Sequence, residues 1–348
     1  MRVFRTTTAA GPLESVDLPT PEPTGREVLL KTLATGVCHS DVHLHDTHFD
    51  LGNGRKLPAG GPGMVLGHEI AGTVAAVGPD AVGVAVGDTC VAYPWIGCGE
   101  CALCAAGDEH LCAAPAALGI QRPGGFADHV LVPDARYLLP AGELPPARAC
   151  TCACSGLTAY SALRKVGALA GGDALVIVGA GGVGLNAIHL APRLTGVLPV
   201  VVDVSAAGLE AASAAGARAT VNAAAEDALQ RLAAATGGGA AAAIDFVGSE
   251  SSSALAQRAL RKGGKLVIVG LFGGTFSMPL PMIPLLGRTI QGSYVGSLAE
   301  MRELMGLLRT GAIPAIPLHE RRASADVAAA ALDDLRQGSI TGRVVLTF

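Results

Sequence analysis

The sequence has few aromatic residues, no long uninterrupted apolar run and no excess of positive charge. Only 3% of the 348 residues are aromatic, so a core must be built from aliphatic side chains. The net charge of −4 argues against a general nucleic-acid binder. The apolar stretch 174–183 is short and interrupted by glycines, and the first residues lack a signal-peptide core. We therefore expect a cytoplasmic protein of about two domains, with no membrane or nucleic-acid partner.

A disulfide framework is also not expected, because the nine cysteines are odd in number and no secretion signal precedes them. Four of the cysteines lie within fifteen residues with the spacing C-x2-C-x2-C-x7-C, which is typical of a closed, structural zinc site. An iron–sulfur site and free thiols are the alternatives, and a zinc-ribbon DNA reader is disfavoured by the acidic neighbours. The predicted ligands are Cys98, Cys101, Cys104 and Cys112.

Two regions with different patterns follow one another along the chain. Residues 1–150 contain short apolar runs broken by turn residues, which predicts a β-rich unit. Residues 155–290 alternate buried-strand runs with helical stretches, which predicts a parallel sheet covered on both faces. Within this region we predict helix for 254–263 and for the Ala-rich stretch 222–243. A helix at 298–311 and a final strand at 342–348 complete the prediction.

The stretch VIVGAGGVGLNAI, from Val176 to Ile188, contains the pattern G-x-G-x-x-G. It follows a buried-strand run and opens a helical pattern, the context in which this motif binds a dinucleotide pyrophosphate. Asp203 ends the next strand, where an acid binds ribose hydroxyls, and no Lys or Arg lies between 204 and 217 to attract a 2′-phosphate. We therefore predict NAD rather than NADP; the alternative is an ordinary Gly-rich turn. The expected contact residues of the loop are Gly179, Gly181, Gly182, Val183 and Gly184.

A second metal site is indicated by TGVCHSDVHLH, from Thr35 to His45, and by GHEIAG, from Gly67 to Gly72. A catalytic zinc needs three protein ligands and one open position. Cys38 and His68 supply two candidates. The third ligand stays open at this point, because CTCACSGLTAY offers three cysteines: Cys150, Cys152 and Cys154.

Taken together, these motifs resemble those of the zinc-dependent alcohol dehydrogenases of the medium-chain dehydrogenase/reductase family. The resemblance covers essentially the whole chain, and GVCHSD, GHEIAG, the four-cysteine segment, CSGLTAY and GAGGVG occur in the family's order. It implies an α/β fold with two domains. A β-rich GroES-like catalytic domain would comprise 1–154 and 292–348, and a doubly wound Rossmann domain for NAD would comprise 155–291.

The resemblance also implies roles for individual residues. Cys154 becomes the third ligand of the catalytic zinc, beside Cys38 and His68. Asp41 orients the ligand histidine, and Glu69 is a neighbouring or alternate ligand. Ser40 bonds the substrate alcohol, and Ser40, the cofactor ribose and His43 carry its proton to solvent. The remaining implied contacts are to the cofactor, and they involve His39, Thr158, Val269 and Arg343.

The activity that the resemblance implies is reversible hydride transfer between a primary or secondary alcohol and NAD. The cofactors would be NAD and two zinc ions per subunit, one catalytic and one structural, in a homo-oligomer that is a tetramer by family analogy. Three alternatives differ in class or substrate. A specialised polyol dehydrogenase tends to have Glu among its zinc ligands, a quinone reductase lacks the ligands present here, and a non-catalytic nucleotide binder would have lost one of them.

Overall fold

The structure is a computed structural model that describes residues 1–348. The chain forms two compact units whose limits differ by a few residues from those expected from the sequence. The short segment Phe49–Leu57 goes with the second unit, which the sequence did not indicate. The first unit comprises Met1–His48, Pro58–Leu157 and Gly296–Phe348, and the second comprises Phe49–Leu57 and Thr158–Val295.

The secondary structure consists of 17 strands and 11 α-helices. The strands are β1 Arg2–Thr6, β2 Leu13–Asp17, β3 Val28–Val37, β4 His48–Asp50, β5 Lys56–Pro58, β6 Glu69–Val77, β7 Thr89–Ala92, β8 His129–Val132, β9 Leu138–Pro140, β10 Leu175–Val178, β11 Val200–Asp203, β12 Ala219–Asn222, β13 Ala240–Asp245, β14 Leu260–Ile268, β15 Thr289–Gly292, β16 Leu318–Arg322 and β17 Arg343–Thr347. The helices are α1 His39–His45, α2 Ala102–Ala105, α3 Pro146–Thr151, α4 Leu157–Val166, α5 Gly182–Leu194, α6 Ala206–Ala214, α7 Ala228–Thr236, α8 Glu250–Arg258, α9 Met282–Leu286, α10 Leu298–Arg309 and α11 Ala325–Arg336. Among these helices, none combines the length and the apolar character that a membrane crossing requires. The cytoplasmic location stays a prediction.

A seven-stranded sheet organises the first unit. Its strands run in the order β16-β17-β3-β6-β7-β9, and β8 pairs with β3 off this path. All pairs are antiparallel except β16 with β17. The long central strand β3 is almost entirely buried, so it sets the register of its neighbours. This is the predicted β-rich, GroES-like unit; its central strand β3 ends just before Cys38, and the neighbouring β6 begins just after His68.

Six parallel strands form the sheet of the second unit, in the order β12-β11-β10-β13-β14-β15. This is the predicted Rossmann arrangement. The strand order reverses between β10 and β13, and dinucleotides bind outside the carboxyl ends of the strands at such a point. Residues of β10 and β13 are buried along their whole length, as expected of strands covered on both faces.

Two helix predictions in this unit were too long. The Ala-rich stretch is helical only over Ala228–Thr236, and Ala240–Asp245 is instead a strand between two others. Burial between neighbouring strands outweighs the helix preference of alanine there, because small side chains fit a sheet covered on both faces. The helix expected over 254–263 ends at Arg258, and Leu260 already begins β14.

Candidate active site and metal centres

Three elements of the first unit bring Cys38, His68 and Cys154 together. Cys38 directly follows β3 and is the N-cap of α1, and His68 lies directly before β6. Cys154 lies in a π-helical turn, Cys152–Gly156, that interrupts the helical run from α3 to α4. Such turns redirect side chains and occur often at functional sites. The structure therefore selects Cys154 among the three neighbouring cysteines.

The geometry of this cluster fits a zinc ion. One ligand atom from each of the three buried residues lies within 4.8 Å of the others, and the sulfurs of Cys38 and Cys154 are 3.9 Å apart. Two thiolates, each about 2.3 Å from a tetrahedral zinc, would be about 3.8 Å apart. Nε2 of His68 is buried without a hydrogen-bond partner, as a nitrogen kept for a metal would be. Three ligands leave a fourth position open.

Asp41 is a fully buried carboxylate that forms hydrogen bonds beside this cluster. Its Oδ2 accepts from the backbone N–H of Cys38 at 2.8 Å, and its Oδ1 accepts from that of Gly67 at 3.1 Å. Oδ1 also lies 3.3 Å from Nδ1 of His68, although the two are not aligned as a hydrogen bond. The carboxylate thus fixes the backbone beside two candidate ligands, and its predicted role in orienting the imidazole of His68 stays a prediction.

Glu69 and Arg343 form a buried ion pair beside the cluster. Nε of Arg343 donates to Oε2 of Glu69 at 3.1 Å, and a second guanidinium nitrogen contacts Oε1. Oε1 also accepts from the backbone N–H of Ser155 at 3.0 Å, next to Cys154. Gly36 leaves room for this pair, since a Cβ there would lie 1.8 Å from Oε2 of Glu69. The structure thus places Arg343 against Glu69, and its predicted contact with the pyrophosphate stays a prediction.

Protons are distributed unevenly over the candidate ligands. A hydrogen bond from Cys154 lowers the pKa of the Cys38 thiol well below its usual range, and the same bond raises the pKa of Cys154. Burial lowers the pKa of His68, but the neighbouring Asp41 outweighs it, so the pKa lies well above its usual value. A metal must displace the protons of Cys154 and His68, and zinc binding is therefore expected to weaken as the pH falls.

The first turns of α1 carry the residues predicted to handle the substrate proton. His39 is exposed, while Ser40 and His43 are partly buried. Ser40 and His43 are three residues apart and so lie on one face of the helix. Partial burial, together with the neighbouring His39, lowers the pKa of His43, which keeps its imidazole neutral near pH 7. A neutral imidazole at His43 is able to accept the substrate proton.

Trp95 forms one wall of the cluster. Its ring lies 5.2 Å from the ring of His68, and its Nε1–H donates to the carbonyl of Ala153 at 2.9 Å. Tyr93 is also buried, and its hydroxyl donates to the carbonyl of Gly296 at 2.9 Å. The only tryptophan of the chain therefore packs between a candidate ligand and the turn that carries Cys154, and it helps to exclude water.

The four remaining motif cysteines form a second cluster in the first unit. Their sulfurs lie 3.5 Å (Cys101 to Cys104), 3.8 Å (Cys101 to Cys112) and 3.9 Å (Cys98 to Cys104) apart, again close to the spacing that a tetrahedral zinc imposes. Backbone N–H groups of Glu100 and Cys101 lower the pKa of Cys98 to about 6. Four thiolates fill all positions of a zinc ion, so this site fits a structural metal.

A buried carboxylate that the sequence did not single out attaches this cysteine cluster to the unit. Glu109 lies between two of the cysteines, and its Oε2 accepts from the hydroxyl of Tyr137 at 2.5 Å and from the backbone N–H of Gly97 at 3.3 Å. Arg136 lies 3.2 Å from Oε1. The lone signal in the sequence was an acidic residue inside a cysteine loop, which is too common to be informative.

In the second unit, the glycine-rich loop has the shape of a phosphate cradle. Gly179 has φ +98°, and a Cβ on Gly184 would lie 1.9 Å from the carbonyl of Gly179. A Cβ on Gly181 would instead meet nothing within 4 Å, so space remains in front of the N-terminus of α5. Turn, close helix packing and open space are the three roles expected of these glycines. The loop therefore fits a pyrophosphate, and Gly182 and Val183 form the first turn of the helix.

Asp203 lies at the carboxyl end of β11, next to this loop. Its Oδ2 accepts from the backbone N–H of Ala180 at 2.6 Å, and its Oδ1 accepts from that of Ser205 at 2.8 Å. The buried hydroxyl of Thr158, in the same unit, has no hydrogen-bond partner, which suits a group kept for a ligand. Val269 follows β14 at the same carboxyl edge of the sheet. The contacts of these three residues with the cofactor stay predictions.

Two family models match the chain. The model described as alcohol dehydrogenase GroES-like domain matches residues 24–143, and that described as zinc-binding dehydrogenase matches 182–310. The chain is 39% identical to a NAD-dependent alcohol dehydrogenase of Sulfurisphaera tokodaii and 37% identical to one of Saccharolobus solfataricus. Each alignment covers 99% of both chains. The chain belongs to the zinc-dependent alcohol dehydrogenase family of the medium-chain dehydrogenases/reductases.

Solved structures agree with this assignment. The alcohol dehydrogenase of the archaeon Aeropyrum pernix superimposes with a TM-score of 0.88 at 28% identity, over all of both chains. The D-arabinose dehydrogenase of Sulfolobus solfataricus superimposes with a TM-score of 0.81 at 25% identity, over 100% of this chain and 99% of the other. The fold is therefore shared by relatives whose names indicate different substrates.

Proposed function

We propose that this protein is an NAD- and zinc-dependent alcohol dehydrogenase that interconverts primary or secondary alcohols with aldehydes or ketones. The observation that carries the proposal is the buried cluster of Cys38, His68 and Cys154, with its three ligand atoms within 4.8 Å of one another. Zinc bound there supplies a Lewis acid that lowers the pKa of an alcohol. The four-cysteine cluster would hold a second, structural zinc, and the Rossmann unit would hold NAD.

Residues of the chain would hold the zinc ligands in place and carry the released proton to solvent. Asp41 and Glu69 hold the backbone and side chains of the ligand set, so the cluster keeps its geometry while substrates exchange. Ser40 would take the alcohol proton on its hydroxyl, and the neutral ring of His43 would be the last acceptor before the proton reaches solvent. The packed ring of Trp95 excludes water from the cluster, which protects the hydride step.

The proton path predicts a partial defect for His43→Gln. Glutamine retains a polar side chain but cannot take up a proton, so we expect turnover to fall about 100-fold near neutral pH, the low end of what a positioned acid or base contributes. The defect should shrink as the pH rises, because hydroxide then replaces the imidazole as acceptor. Steady-state rates across a pH series, with zinc measured in the same samples, test this. Lost zinc would instead make His43 part of the metal site.

Asp203 is expected to set the preference for NAD. In Asp203→Gly the charge that repels a 2′-phosphate is gone, and so is the acceptor for the ribose hydroxyls. We expect the ratio of kcat/KM for NAD over NADP to fall at least about tenfold, the effect of losing one charge-assisted hydrogen bond. Asp203→Asn is the matched control, since its amide oxygen still accepts from the backbone. An unchanged ratio in both variants would show that another residue reads the ribose.

The function is tested by following nicotinamide absorbance with NAD and a panel of primary, secondary and aromatic alcohols, before and after chelation of zinc. Reduction of NAD that chelation abolishes supports the proposal. A second candidate, a specialised polyol or sugar dehydrogenase, is favoured by the match to D-arabinose dehydrogenase, so pentoses and polyols belong in the panel. Zinc-loaded protein that reduces NAD with none of these compounds would contradict both.

The subunits would associate through the second unit. Large apolar side chains are exposed along 271–294, among them Leu280 at 78%, Leu285 at 69% and Phe272 at 68%. The same stretch contains β15, an edge strand of the parallel sheet. Exposed apolar surface at a free strand edge favours pairing with another chain. With the family resemblance, this supports a homo-oligomer, and sedimentation equilibrium would distinguish a tetramer from a dimer.

A further inference from the structure

Asp245, at the carboxyl end of β13, is a fully buried carboxylate surrounded by uncharged donors. Its Oδ1 accepts from the backbone N–H groups of Val247 at 2.9 Å and Gly248 at 3.0 Å. Its Oδ2 accepts from the hydroxyls of Ser252 and Ser253, each at 2.8 Å. Two hydrogen bonds thus hold the loop after β13, and two hold the first turns of α8.

The backbone of Asp245 holds a second loop. Its carbonyl oxygen accepts from the N–H of Val269 at 2.9 Å and from that of Gly270 at 3.1 Å. The loop after β13 is itself bonded to β10, since the N–H of Phe246 donates to the carbonyl of Val178 at 2.9 Å. Asp245 and the next residue, Phe246, therefore connect the ends of β10, β13 and β14, where the strand order reverses.

The loop that the carboxylate holds touches the phosphate cradle. A Cβ on Gly179 would lie 2.9 Å from Cγ2 of Val247, and one on Gly270 would lie 2.0 Å from the backbone carbon of Val247. Val247 is thus packed against the first glycine of the cradle and against the loop of Val269. A shift of this loop would change the space in which a dinucleotide is bound, because all of these groups lie at one edge of the sheet.

We infer that Asp245 is a positioning residue of the NAD site, which orders the loops around the pyrophosphate before the cofactor arrives. The inference rests on the proposed function. A buried carboxylate is costly to desolvate, and an apolar side chain would cover β13 at lower cost if only packing mattered. Four convergent hydrogen bonds instead give these loops one defined position, so the cofactor loses little affinity to ordering them.

The test compares Asp245→Asn with the matched control Asp173→Asn. Asparagine has nearly the same shape as aspartate, but its NH2 group cannot accept hydrogen bonds. This group would face two of the four donors, so the two hydrogen bonds to one carboxylate oxygen would be lost. Asp173 lies just before the amino end of β10, at the other end of the strand from the phosphate cradle. It pairs with Arg261 at 2.8 Å. We expect the dissociation constant of NADH, from nicotinamide fluorescence, to rise about tenfold in Asp245→Asn only, with kcat at saturating NAD and the KM of the alcohol within about twofold.

Hydrogen exchange on the unaltered, cofactor-free protein gives a second measurement, which does not depend on a variant that folds. The amides of Val247 and Gly248 should be strongly protected before NADH is added. Free exchange of these amides, or an Asp245→Asn variant that is less stable but binds NADH with unchanged affinity, would overturn the inference. Unaltered protein that does not bind NADH at all would contradict the proposed function instead.

Discussion

Replacing His68 by alanine is expected to abolish alcohol oxidation and to remove the zinc ion that we propose for the buried cluster. The imidazole is buried beside Cys38 and Cys154, and no other nitrogen ligand belongs to this cluster. A catalytic zinc contributes several kcal/mol to the transition state. Because each 1.36 kcal/mol corresponds to a factor of ten, we expect kcat/KM to fall by at least about 10³.

His48→Gln is the matched control for this prediction. His48 lies close to α1 in the sequence, its Nδ1 bonds the carbonyl of Asp46 at 2.8 Å, and it belongs to neither of the two candidate metal clusters. Its replacement should leave both zinc content and kcat/KM within about twofold, the range of an ordinary surface change. The two variants are compared by atomic absorption for zinc and by steady-state kinetics. A His68→Ala protein with full zinc content and full activity would remove the basis of the metal assignment.

The local motifs made much of the site predictable. Cys38 and His68 lie in short segments whose spacing is tied to a strand end, and the glycine loop requires only a strand, a turn and a helix. The residues that carry this chemistry therefore lie close together in the sequence. The choice of Cys154 over its two neighbours needed the family resemblance, since the π-helical turn that presents it has no signal in the sequence.

The contacts that hold the site together were not predictable in the same way. Glu69 and Arg343 are 274 residues apart and meet because β17 and β6 both pair with β3, with Gly36 opposite Glu69. Likewise, Asp245 looked like an ordinary residue at a strand end. The first residues of the strand Ala240–Asp245 were assigned to helix, because alanine carries a helix preference whatever its neighbours are. Each of these features depends on the pairing of segments that are far apart in the sequence.

Replacing Arg343 by leucine is the second change with a large expected effect. It leaves the carboxylate of Glu69 buried without its cation, which should lower the free energy of unfolding by about 3–5 kcal/mol. Glu69 also accepts from the N–H of Ser155, so the turn that carries Cys154 should loosen and catalytic zinc should be lost more readily. In the double variant, with Glu69→Gln as well, no buried charge is left, and most of the stability should return.

The pH dependence of Arg343→Leu follows from the same contacts. Burial raises the pKa of Glu69, and the charge of Arg343 opposes that shift. Without the arginine the native-state pKa rises further above the unfolded value of about 4.3. The native state then binds more protons than the unfolded state between these two values, so stability falls as the pH rises through this window. Urea unfolding of the zinc-loaded proteins at about pH 5 and about pH 8 should show a larger deficit at the higher pH. An equal deficit at both values, or a double variant no more stable than Arg343→Leu, would mean that lost packing rather than an unpaired carboxylate causes the instability.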